Sequence, residues 1–182
     1  GCHVLRMARF SSLIAERLGL SEEERHVIET AAPMHDIGKI GTPDNILLKP
    51  GKLDAGELVN MRTHARIGYE ILKDSPSKYL QMGAVIAHGH HEKFDGSGYP
   101  DGLVGMAIPL PARIVAVADV FDALTSQRPY KRAWSIQDAL QYLQTEQGRH
   151  FDPVCVQAFL SQLDKVLLIR QQLQDLSPVR NG

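Results

Sequence analysis

The sequence predicts an all-α fold, and three observations lead to that class. Apolar residues recur at helical rather than alternating spacing along most of the chain. Capping residues followed three positions later by an acid mark repeated helix starts. Alternating β-branched runs bounded by hairpin turns are nearly absent. With 182 residues, 43% of them apolar, the chain can bury the core of one domain.

Val4, Met7, Ala8 and Leu13 take up helical spacing within a few residues of Gly1, so a first helix is expected at once. That abrupt start suggests a piece of a longer protein. Ser21 with Glu24 reads as a capping box, and Val27, Ile28, Ala31 and Met34 share one face of a helix over 22–34 that should end near Gly38. Residues 40–53, punctuated by proline and glycine, read as an ordered loop anchored by Ile46, Leu47 and Leu48. Asp54 with Glu57 opens another helix, to about Lys73.

Residues 80–88 are helical by composition, and Asp95-Gly-Ser-Gly-Tyr-Pro100 then begins a second long loop reaching about Leu110. Residues 111–124 are almost wholly apolar, which at that length predicts a buried helix. Ser135 with Asp138, and Asp152 with Pro153 at a first-turn position, mark two further starts. The expected division is one main domain over 1–163 and a C-terminal helix or tail over 164–182.

Composition removes several function classes. Lys and Arg number 20 against 21 Asp and Glu, so no global field recruits a nucleic acid polymer or an anionic membrane. Cys2 and Cys155 lie far apart without CxxC spacing, which argues against a disulfide framework or a thiolate zinc site and fits a reducing cytoplasm. Apolar runs such as 112–124 are too short and too interrupted to span a bilayer.

The chemistry-bearing residues sit at helix ends and on one apolar helix. His35 and Asp36 occur together where a helix should stop, and both can turn toward one cation, the carboxylate bridging two. An isolated pair of this kind more often caps or packs. His64 lies in the third helix, and His90-His91 precede Glu92 at another helix end, where the alternative is a solvated polar terminus. Asp119 and Asp122 lie three apart on a helix otherwise suited only to burial, so they share a face. A buried carboxylate needs a partner, either a metal ion or a cation such as Arg128 or Lys131. Taken jointly, these nitrogen and oxygen ligands without sulfur suit iron, manganese or zinc, and their number implies two or more ions. Lys39, Arg128 and Lys131 are then available for the non-reacting oxygens of a phosphodiester.

Several long motifs agree with one family. They are His35-Asp-Ile-Gly-Lys39, Ile46-Leu-Leu-Lys-Pro-Gly51, Thr63-His-Ala-Arg-Ile-Gly68, His90-His-Glu92, Asp95-Gly-Ser-Gly-Tyr-Pro100, Ile108-Pro-Leu-Pro-Ala-Arg113, Ala118-Asp-Val-Phe-Asp-Ala-Leu-Thr125 and Arg128-Pro-Tyr-Lys131. From His3 to about Phe159 the chain resembles the HD-GYP branch of the HD-domain phosphohydrolases, bacterial cyclic di-GMP phosphodiesterases.

The resemblance implies an HD-domain helical bundle with two long ordered loops over most of 1–163. It implies His3, His35, Asp36, His64, His90, His91 and Asp119 as ligands of two or three divalent metals, iron or manganese first and nickel or zinc as alternatives, with Asp36 the bridge. Members with a third metal carry a Glu four residues before the first ligand histidine, a position that falls before Gly1, so the number stays open. Lys39 and Asp122 would position or activate the attacking water, Arg128 and Lys131 would hold the phosphates, and Tyr99 would shape the rim or stack on a base. Cyclic di-GMP would open to pGpG, and further to GMP, by attack of hydroxide generated at the metals. Gly98-Tyr99-Pro100 would also meet diguanylate cyclase domains, a sensory domain would precede the chain, and the C-terminal segment would offer a route to a homodimer, although no heptad run supports one. Alternatives are another cyclic dinucleotide such as cyclic GMP-AMP, a nucleotide monophosphate, or a non-catalytic module that binds nucleotide or a cyclase. His26, His88 and His150 are read as surface or supporting residues.

Overall fold

The computed structural model describes residues 1–174 and is all-α, with no named strand among them. Helix α1 (Cys2–Arg17) supplies the spine because Met7, Phe10, Ile14 and Ala15 fall on one face and are fully buried. Helix α7 (Leu110–Thr125) packs on it, and its interior Ile114, Val115, Val117, Ala118 and Phe121 are fully buried too. Phe10, Phe121 and Phe159 meet at centroid distances of 4.8–6.1 Å in edge-on or tilted arrangements that fix how the helices sit together. This core is shared with α2 (Glu22–Ala31), α6 (Lys78–Gly89), α8 (Ile136–Thr145) and α9 (Pro153–Ser161).

The helix starts follow the side-chain caps. Ser21 and Asp54 each form a reciprocal box with the Glu three residues on, and Ser135 and Asp152 accept from the backbone of Asp138 and Val154. Helix α2 stops earlier than the apolar pattern suggests. Pro33 has no N–H to continue the ladder, so residues 32–34 tighten into a 3-10 turn, and a second one follows at Ile37–Gly41. The loop 40–53 contains one helical turn, α3 (Asp44–Leu47), anchored by Ile46 alone, whereas Leu48 is 72% exposed.

The single helix expected over 54–73 is two, α4 (Ala55–Arg62) and α5 (His64–Leu72). Thr63 donates its hydroxyl to the Asn60 carbonyl at the break (2.6 Å), and the two halves have different tasks. Helix α4 buries no residue, while α5 buries His64, Ala65, Gly68 and Leu72. Helix α10 (Leu163–Gln172) packs back on α1 through fully buried Val166, and Arg170 donates to the Thr125 hydroxyl (2.6 Å). The end of the C-terminal segment, 175–182, lies outside the described residues. No helix among the described residues is long and apolar enough to cross a membrane.

One close approach sets the site geometry. A Cβ on Gly38 would lie 1.9 Å from the His64 carbonyl oxygen and 2.5 Å from the Gly68 nitrogen, so only glycine lets the 37–41 turn rest on α5. Both contacts are backbone, which cannot swing aside. Gly38→Ala should therefore cost about 3 kcal/mol, the upper end of ordinary overpacking, measured as a shift of the urea midpoint at unchanged slope.

Candidate metal centre

Three of the histidines reach the centre from helix ends whose backbone fixes the ring. His35 Nδ1 faces the Ala32 carbonyl (2.9 Å), His64 Nδ1 the Met61 carbonyl (2.7 Å), and His90 Nδ1 the Ile86 and Ala87 carbonyls (both 3.1 Å). A carbonyl only accepts, so each Nδ1 must carry a proton, which leaves Nε2 as the nitrogen turned inward. Those three Nε2 atoms are buried and have no hydrogen-bond partner.

What they face is carboxylate. Asp36 oxygens lie 3.3 Å from His35 Nε2, 3.4 Å from His64 Nε2 and 3.6 Å from His90 Nε2. Asp119 Oδ1 lies 3.5 Å from His35 Nε2 and 3.6 Å from His3 Nε2. Lone pairs aimed at anionic oxygens repel unless a cation stands between them, and mixed imidazole and carboxylate donors are what a divalent ion takes. Among the described residues the donors fall into two groups, Asp36 with His64, His90 and His91, and Asp119 with His3 and His35, each drawn within 4.8 Å. Asp36 also touches His35, so it stands between the groups as a bridge would.

Electrostatics follow from this crowding. Burial would raise the Asp36 carboxyl, but contacts with His35, His64 and His90 hold it far below the usual carboxylate range. Burial would raise Asp119 too, and His3 and His35 overcome it. Burial would lower His35, yet Asp119 and Asp36 raise it to about 10. His3 is raised to about 9, first by Asp119 and then by Asp122. His91 is pushed down to about 2 by burial and by the neighbouring His90 and His64, so its ring stays neutral.

An open cavity of about 600 Å³ exposes His3, Asp36, His91 and Asp119, with Lys39 and Arg128 on its wall. Lys39 Nζ donates to Asp36 Oδ2 (2.9 Å). A larger surface cleft of about 720 Å³ beside Trp134 and Tyr142 carries none of these groups. Lys131 does not line the metal-site cavity; it is exposed on the far limb of a turn whose backbone pairs it with Arg128 at 3.1 and 3.2 Å.

Two residues stand elsewhere than the sequence suggests. Asp122 is fully buried and off the cavity, its oxygens in contact with Arg6, His3 and Ser126. Tyr99 does not line the cavity either. Its ring stacks on His91 at 4.8 Å and 18°, with the Arg62 guanidinium 4.9 Å from the ring centroid, so it backs a candidate ligand.

Arg6, Arg62 and Glu92 had no assigned role in the sequence reading. Arg6 had a signal, a His and an Arg three apart on an apolar helix. Glu92 is buried and accepts from the Asp101 and Leu103 amides at 2.7 and 3.0 Å, which folds the loop after it. Gly98 belongs to the same fold, since a Cβ there would meet Lys93 N at 2.3 Å. His88 supports the loop from behind, 3.1 Å from Asp101 and stacked on Tyr69 at 4.7 Å.

Residues 3–155 match the family model described as HD domain. The chain belongs to the HD-domain family. Its motifs and its relatives place it in the HD-GYP branch. It is 60% identical over 164 residues to the cyclic di-GMP phosphodiesterase response regulator RpfG of Xanthomonas campestris pv. campestris, covering 88% of this chain and 43% of that protein. It is 46% identical over 175 residues to the 3'3'-cGAMP-specific phosphodiesterase 2 of Vibrio cholerae, covering 96% of this chain and 34% of the relative. The crystal structure of the Vibrio cholerae cyclic GMP-AMP-specific phosphodiesterase V-cGAP3 superposes with a TM-score of 0.68 at 24% identity, over 97% of this chain and 49% of that one, which shows the shared fold. The HD-GYP segment spans less than half the length of these relatives.

Protons and divalent ions compete for the same Nε2 lone pairs. With His3 and His35 raised to about 9 and about 10, both rings hold a proton at pH 7 that a metal must displace. Metal affinity should therefore rise as pH climbs from 6 toward 9, with proton release on loading. Mn2+ calorimetry in buffers of different ionisation enthalpy checks this, and pH-independent binding without proton release would contradict it.

Proposed function

We propose that this HD-GYP segment is a divalent-metal phosphodiesterase that hydrolyses cyclic di-GMP to linear pGpG and onward to GMP. The supporting observation is the convergence of three buried, unpartnered Nε2 atoms on two carboxylates, Asp36 and Asp119, that line a cavity also carrying Lys39 and Arg128. A relative 60% identical is named for cyclic di-GMP hydrolysis. Two divalent ions held there would polarise a phosphoryl oxygen and acidify a water. Iron or manganese suits this donor set, and nickel or zinc shares the same ligands.

The protein's own residues do the rest. Asp36 and Asp119 stay ionised at any working pH and so keep the centre anionic enough to hold its cations. Lys39, bonded to Asp36 at the cavity wall, orients the attacking water and steadies charge on the phosphate it reaches. Arg128 offers a planar fork to the non-reacting oxygens, and Lys131, on the exposed limb of the same turn, adds a more distant positive charge for a second phosphate. Asp122 acts through His3. We place the reaction in a reducing cytoplasm, in keeping with two free cysteines, and within a longer protein, as its relatives are. The loop at 98–100 remains our candidate surface for a cyclase domain, because Val104 and Met106 nearby are 60% and 76% exposed.

Asp36→Ala should remove metal and turnover together, read by elemental analysis of anaerobically purified protein beside a cyclic di-GMP assay. Full activity in metal-free Asp36→Ala protein would sink the reading. Arg128→Ala keeps the metals and should raise KM about tenfold, the loss of one charge-assisted contact worth about 1.4 kcal/mol. A second reading, cyclic GMP-AMP as substrate, is favoured by the relative 46% identical over 96% of this chain. Turnover across both dinucleotides separates the two, and binding of cyclic di-GMP without cleavage over hours would leave only a receptor.

A further inference from the structure

Behind the cavity, side chains build a frame that serves only one of the two ligand groups. Arg6 lies one turn along α1 from His3 and is 4% exposed. Its Nε donates to Asp122 Oδ1 (2.6 Å) and its Nη2 to Asp122 Oδ2 (3.1 Å), a two-pronged pair closed off from water. Nη2 also reaches the Ser126 hydroxyl (3.0 Å), and Nη1 donates to the Leu173 carbonyl just past α10 (2.6 Å). Asp122 Oδ2 then takes the proton side of His3 Nδ1, leaving His3 Nε2 turned toward Asp119.

The orienting partners of the other rings differ in kind. His35, His64 and His90 are each aimed by a carbonyl three or four residues back along their own chain. That partner is in place whenever the local turn is formed. His3 is aimed by a side chain 119 residues away, which must itself be held. A free Asp122 could rotate about two side-chain torsions and carry the His3 ring with it.

We propose that Arg6 is a positioning residue for one of the two metal positions: by locking Asp122 it fixes His3, and so governs filling of the His3, His35 and Asp119 group. The Asp36, His64, His90 and His91 group relies on backbone-aimed His64 and His90 and is independent of Arg6. The inference rests on the metal-centre reading above but not on the identity of the substrate. It makes the two positions unequal, one preorganised by the main chain and one dependent on a buried ion pair anchored at the end of α10.

Mn2+ titration of the 182-residue chain, followed by electron paramagnetic resonance and elemental analysis, tests this without nucleotide. Wild type should bind two Mn2+ per chain and show a spin-coupled pair. Arg6→Met should keep one equivalent at wild-type affinity and weaken the other about 10- to 100-fold, the usual cost of losing an outer orienting partner, with an isolated Mn2+ signal in place of the coupled one. Arg6→Lys keeps the buried charge but loses the fork, and should fall between the two with unchanged helix content by circular dichroism. If Arg6→Met does not fold, Arg6→Lys decides. Both equivalents at wild-type affinity in either variant, equal weakening of both with helix content intact, or a single Mn2+ in wild type would each overturn the proposal. A chain that shows the unequal pattern yet cuts no cyclic dinucleotide would fail the proposed activity and leave the Arg6 frame standing.

Discussion

Asp36 and Asp119 sit among imidazole lone pairs, in contact at 3.3–3.6 Å, and much else in the molecule is arranged around that electrostatic problem. Carboxylates drawn from water beside Lewis-basic nitrogens need positive charge, and a proton or a divalent ion can supply it. The backbone decides which nitrogen is offered. By engaging Nδ1, the carbonyls of Ala32, Met61, Ile86 and Ala87 leave only Nε2 for the centre. A helical scaffold suits this task because a carbonyl near a helix end has two lone pairs and can accept from an imidazole beside its backbone donor, as Ala32 and Ile86 do with the amides of His35 and His90.

The same constraint sets the path of the irregular segments. The 37–41 turn must sit against α5 for Asp36 to meet both His35 and His64, and Gly38 is the residue that permits the contact. The loop after His91 must bring Tyr99 back over that ring, and Glu92 does this with two backbone amides while Gly98 lets the chain pass. Glycine and a buried carboxylate here position a candidate ligand, not merely a turn.

Periodicity and capping were enough to read the helical class, the buried character of α7 and the four capped starts, because those depend on residues within one turn of each other. They missed the division of 54–73 at Thr63, since no proline or glycine marks it; the break is imposed by the docking of α5 on the 37–41 turn, a contact between distant segments. Site residues divide in the same way. The spacing of Asp119 and Asp122 shows a shared helix face, yet a three-residue step rotates a side chain by about 300 degrees, so one acid reaches the cavity and the other the core. Which is which depends on Arg6 of another helix, and one segment's spacing carries no record of it.

The geometry also separates reaction class from substrate choice. In the proposed reaction the candidate metal ligands and Lys39 would address only phosphate and water, groups that all 3',5'-cyclic dinucleotides share, so the centre alone would give no basis for preferring guanine to adenine. Discrimination between bases needs hydrogen-bonding groups at the distance of a nucleobase from its phosphate, which points to the cavity wall beyond the metals, where Gln127 and Arg128 lie at the root of an exposed turn. Gln127 already donates to the Arg128 carbonyl (3.3 Å) and accepts from the Ala133 amide (3.2 Å), so the turn is braced internally while its tip at Pro129 and Tyr130 stays exposed. A braced base with an exposed tip lets residues on the turn change without disturbing Asp36 or its imidazoles. Relatives named for different cyclic dinucleotides are then compatible with one HD-domain centre.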